Sequence, residues 1–69
     1  MRINAKVKGK YHDIDFTGHV SDIEGSTQYV NADRINVTLD TPIEVYGVVR
    51  GGIVITNDGT RGYSYVEAA

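Results

Sequence analysis

The stretch YGVVRGGIVITNDGTRG, Tyr46 to Gly62, decides how the rest of the chain is read. Its valines and isoleucines alternate with other residues as a strand requires, and glycines interrupt them where a tight hairpin would need a positive φ. The stretch reads as two hairpins. The first joins Val48-Val49 to Ile53-Val54-Ile55 through Arg50-Gly51-Gly52, and the second joins that strand to Gly62-Tyr63-Ser64-Tyr65-Val66 through Asn57-Asp58-Gly59-Thr60. With a three-residue turn at Arg50, Val49 falls opposite Ile53 and Gly47 opposite Ile55. Val45, Val49, Ile53 and Ile55 then share one face, and Tyr46, Val48 and Val54 the other, with Val54 opposite Tyr63 and Tyr65 nearby.

Working outward, a further hairpin joins INVTL to IEVYGVV through Asp40-Thr41-Pro42. Near the start, RINAKVK alternates, with Ile3, Ala5 and Val7 on one side and Arg2, Asn4, Lys6 and Lys8 on the other. YHDIDFTGHV places His12, Ile14, Phe16, Gly18 and Val20 together. A turn at Gly9-Lys10 sets Val7 opposite His12, Ala5 opposite Ile14 and Ile3 opposite Phe16, and it gives Asp13 a cross-strand partner in Lys6. Gly18 then stands on the inward face mid-strand, which is costly unless the strand bends or another backbone passes close by. The apolar parity slips between Ala32 and Ile35, which points to a bulge or short turn at NADR.

The expected core is Ile3, Val7, Ile14, Phe16, Val20, Ile35, Val37, Val45, Val49, Ile53 and Ile55. No helix of useful length, linker or repeat is visible, so residues 1–69 read as one small all-β domain. The sequon at Asn36-Val37-Thr38 reads as a piece of strand.

Sixty-nine residues is a size at which apolar burial barely exceeds the entropy lost on folding. The chain has no cysteine, so a disulfide is excluded, and two histidines without cysteines do not complete a tetrahedral zinc site, so neither a structural zinc nor a cofactor is expected. His12 and His19 are seven positions apart, on opposite faces and about 23 Å apart in a straight strand. Self-association is the remaining common source of stability. MRINAKVKGK has no continuous apolar run, so neither a leader nor a membrane span is read there, and the expectation is a soluble cytoplasmic protein.

Seven Lys plus Arg against nine Asp plus Glu leave a formal charge of −2, so any nucleic-acid contact has to be local. No glycine-rich phosphate loop enters a helix, and no Ser, His and acid set is brought together, so the protein reads as something other than an enzyme. The face carrying Tyr46, Val48, Val54, Tyr63 and Tyr65 is too apolar for solvent. Three readings remain open for it: the inside of a sandwich or barrel, a subunit interface, or a surface on which bases or rings stack.

Two segments resemble the Sm and Sm-like family. Gly18, Val20, Ile23, Glu24, Thr27, Gln28, Tyr29 and Val30 follow its first motif, and Val48, Val49, Arg50, Gly51, Ile53 and Ile55 its second. Glu24 stands where Asp is usual, Gln28 where Asn is usual, and Thr27 where an apolar residue is usual. The family's N-terminal helix is missing, the first hairpin is longer, and GTRGYSYVEAA runs past the expected end. The resemblance implies a small, strongly bent antiparallel β-barrel, Sm/SH3-like, of five to six strands, which forms a ring and binds RNA. It implies that Gln28, Tyr29 and Arg50, with Gly51 in the turn, contact a nucleobase or nucleotide. Arg61, at the looser turn, reads as solvated. The expected function is therefore an oligomeric module that binds RNA bases or a nucleotide. The alternative is a protein-interaction module, such as a small inhibitor, adaptor or phage-type regulatory protein, that uses the tyrosine and valine face.

Overall fold

A computed structural model describes residues 2–25, 33–57 and 62–69. Among the described residues, five strands form one antiparallel sheet: β1 (Lys6–Tyr11), β2 (Ile14–Glu24), β3 (Asp33–Val45), β4 (Val48–Asn57) and β5 (Tyr65–Ala68). Their order is β4-β3-β2-β1-β5, a four-strand meander whose last strand returns to lie beside the first. Among the described residues the fold is all-β and the sheet is not closed: β4 and β5 approach within 8 Å between Cα atoms without pairing.

Alternation fixes which side of each strand is inside. Val7 of β1, Phe16 and Val20 of β2, Ile35, Val37 and Leu39 of β3, Ile53 and Ile55 of β4 and Val66 of β5 form one buried cluster. A single sheet can bury residues from all five strands only by curling around them, and two glycines allow the curl. A Cβ at Gly18 would land on the Thr38 carbonyl oxygen, and one at Gly9 on the Tyr65 carbonyl oxygen. At these two points the neighbouring strand of the sheet, β3 beside Gly18 and β5 beside Gly9, lies too close for a side chain. Of the two reasons open for Gly18, a bend of the strand or the close approach of another backbone, the structure shows the close approach.

The turns differ from the expected ones. The first hairpin closes at His12-Asp13, both with positive φ (48° and 70°), so Val7 faces Gly18 and Gly9 faces Phe16. Gly9-Lys10 is strand. Asp13 pairs with Lys10 (3.9 Å) and not with Lys6, which faces His19. Ile3 is 49% exposed because Asn4 adopts a positive φ of 70° and breaks the alternation before β1 begins. Ile14, also expected in the core, is half-buried at the turn.

The opening stretch is corrected in the same way. Tyr46-Gly47, with φ of 50° and 78°, forms a two-residue turn, and Val48–Asn57 is one continuous strand through Arg50-Gly51-Gly52. Val45 faces Val48 and Glu44 faces Val49, so Val49 is 69% exposed while Val45 is buried. Asp40-Thr41-Pro42 is not a hairpin turn. Four residues of β3, Leu39 to Pro42, face the single Gly51 between the pairs Thr38–Gly52 and Ile43–Arg50, which makes an arch within the strand. Turn-forming residues suit such an arch, where Pro42 has no ladder hydrogen bond to lose. Val54 faces Asn36 and not Tyr63, because β5 pairs with β1. The bulge described by the structure lies at Ser21 in β2, whose extra residue changes the parity and brings Ile23 opposite Ile35. NADR lies partly outside the described residues.

Candidate functional site

Arg50 and Gly51 lie in mid-β4, both exposed, and Arg50 faces Ile43 of β3. Gln28, Tyr29 and Arg61 lie outside the described residues. Beside Arg50 the sheet carries an open hollow of about 380 Å³, lined by Tyr11, Ser21, Asn36, Thr38, Gly52 and Val54 among others. Its shape follows from the strands. Asn36 faces Val54 and Thr38 faces Gly52 across the β3–β4 ladder, and the missing side chain at Gly52 leaves space between them. The Ser21 hydroxyl donates to the Asn36 carbonyl (3.1 Å), which ties the β2 bulge to this wall. Tyr11, which packs against the core from β1, supplies a ring. Among the described residues no carboxylate pairs with Arg50, so its five donors face solvent and the hollow. The arrangement offers an aromatic ring, a guanidinium and an amide, which suits a planar polar ligand.

The residues expected on one apolar face are divided by the structure. Val54 lines the Arg50 hollow, and Val48 (53% exposed) follows the Tyr46 turn. Tyr65, half-buried in β5, faces Lys10. Tyr46 and Tyr63, 88% and 77% exposed, meet His12 and Asp13 around a separate open space of about 310 Å³. His12 and Tyr46 each hold the left-handed conformation that costs a residue with a side chain about 1–2 kcal/mol, and each presents a ring from the first position of its turn. Sequence reasoning missed this meeting. The signal available was weak, since neither His-Asp nor Tyr-Gly has the Asn-Gly or Asp-Gly pattern of such turns.

A second group was also missed. Lys6 and Lys8 of β1 face His19 and Thr17 of β2, and with Asn4, Gly18 and Asp40 they border a space of about 610 Å³. The acidic pair Asp13 and Asp15 does not join His19 in a site, since both carboxylates lie against Lys10, at 3.9 and 3.5 Å. Among the described residues no three His, Asp or Glu side chains gather as metal ligands would, and no helix is long and apolar enough to cross a membrane. No protein-family model, curated protein or solved structure matches the chain.

Proposed function

We propose that the protein is a non-enzymatic binding module that works as a homo-oligomer, with neighbouring subunits joined along β4. The observation that carries this reading is the edge itself. β4 is ten residues long, has no proline or lysine, and among the described residues pairs only with β3. Val48, Val49 and Val54 along it are 53%, 69% and 49% exposed. A long, unprotected edge strand carrying apolar side chains is a template for another strand. β5 comes near β4 but has only four residues, too few to cover it.

Light scattering after size exclusion tests this. At tens of micromolar the mass should be a multiple of 7.6 kDa, and Val54→Asp and Val49→Lys should each lower it towards the monomer. A monomer at that concentration would overturn the reading.

The Arg50 hollow favours a second, compatible reading, in which the module binds a nucleobase or nucleotide, free or within RNA. Arg50 would donate to phosphate or a base edge, Asn36 would read a base edge and Tyr11 would stack. The resemblance to the Sm family points to the same ligand class and to a ring of subunits. Titration with short RNA and free nucleotides tests it, with Arg50→Ala expected to weaken binding at least about tenfold, or ~1.4 kcal/mol.

A further inference from the structure

We infer that the end of the sheet built from His12, Asp13, Tyr46 and Tyr63 is a binding site for an arginine side chain presented by a partner protein. Three segments distant in sequence meet there: the β1–β2 turn, the β3–β4 turn and the chain leading into β5. The His12 and Tyr46 rings lie 5.4 Å apart at 66°, and the Tyr11 ring meets His12 edge-on at 4.6 Å and 90°. Together His12, Asp13, Tyr46 and Tyr63 border the open space of about 310 Å³. The backbone of the site is tied before any ligand arrives. The Asp13 N–H donates to the Tyr63 carbonyl (2.8 Å), and the His12 N–H donates to the Ser64 hydroxyl (3.0 Å). The backbone then has little ordering entropy left to lose on binding, and the exposed tyrosine rings are what a ligand would order.

The ligand class follows from charge and shape. Aromatic faces carry negative charge density and attract cations, and a guanidinium is the cation that stacks flat on a ring while its edge donates to a carboxylate. Asp13 supplies that carboxylate. Its side chain is 68% exposed, and its contact with Lys10, at 3.9 Å, is longer than the 3.5 Å between Lys10 and Asp15. The net charge of −2 also favours a cation. An apolar or anionic occupant would gain nothing from Asp13 and would remove it from water. The strain at Tyr46 points to presentation of the ring. The residue is 88% exposed, so the ring adds nothing to the core, and it occupies a left-handed position that asparagine or glycine fills more easily.

The test is an NMR titration of the full chain with a blocked arginine tripeptide, its lysine counterpart and its citrulline counterpart, which keeps the shape but not the charge. The arginine peptide should give saturable shifts at His12, Asp13, Tyr46 and Tyr63. The citrulline peptide should bind at least about tenfold more weakly and the lysine peptide about threefold more weakly. Asp13→Asn, Tyr63→Ala and Tyr46→Asn should each reduce arginine affinity by about three- to tenfold. Tyr46→Asn removes the ring with a residue suited to the turn, so its loss of binding does not reflect misfolding. Equal binding of citrulline or lysine, shifts centred elsewhere, wild-type affinity in Asp13→Asn, or no saturation by about 10 mM, a weaker limit than the ~4.1 kcal/mol of a millimolar complex, would each overturn the assignment. So would adenosine monophosphate binding the same residues more tightly than the arginine peptide. None of these readouts depends on assembly through β4.

Discussion

A methyl group added at Gly18 would meet the Thr38 carbonyl oxygen, and nothing lies within 4 Å of the same group at Gly51. The first contact is with backbone, which cannot swing aside as a side chain can. Gly18→Ala should therefore destabilise the fold by at least ~2 kcal/mol, whereas Gly51→Ala should be neutral or stabilising by up to ~1 kcal/mol. Urea midpoints of the two variants check this, and equal midpoints would show that β3 does not pass as close to β2 as described. Tyr46 lies at a φ of 50° and packs nothing into the core. Tyr46→Asn should raise stability by about 1 kcal/mol, the same variant that should lose arginine binding. Gly18 was legible in the sequence because a glycine on the inward side of a strand needs a reason. Gly9 was not, because Gly-Lys between two alternating runs looks like a turn, and only the approach of β5 shows otherwise.

At the scale of the element, β5 and the outer half of β4 present a contrast. β5 has four residues, yet Val66 is 7% exposed within the main cluster. Val49, in a strand of ten residues, is 69% exposed. Val66→Ala should cost about 2 kcal/mol, and Val49→Ala should change stability by less than ~0.5 kcal/mol in the monomer. Chemical denaturation at low protein concentration measures both, and a larger loss at Val49 would place the core at the other end of β4. The Val66 contribution could not be read from spacing, because the turn expected at Asn57-Asp58-Gly59-Thr60, which lies mostly outside the described residues, would most simply pair the last strand with β4 itself. It pairs instead with β1, where Gly9 leaves room for it. The arch at Leu39 to Pro42 was half legible: its residues were recognised as turn formers, but they turn the chain within a strand and not between two.

For the whole molecule, the consequence of an uncovered edge is dependence on concentration. If β4 joins subunits, dilution should lower the apparent melting temperature, because association stabilises the folded state by mass action. A melting temperature constant over a hundredfold dilution, measured by circular dichroism, would contradict the proposed assembly. The sequence by itself determined the all-β class and the inward side of most strands. Val7, Phe16, Val20, Ile35, Val37, Val45, Ile53 and Ile55 were read as core and are buried. Side-chain direction alternates with a period of two residues whatever the strand pairs with, so it is a local property that the sequence carries in full. Tertiary structure alone decided where the hairpins close, which strand β5 joins, and hence that Leu39 and Val66 are buried while Ile3 and Val49 are not. The observed turns place His12, Asp13 and Tyr46 at positive φ, so local turn energy does not select them, and the choice rests on contacts between strands far apart in sequence. Those contacts form only when Gly9 and Gly18 let the sheet curl around its own core.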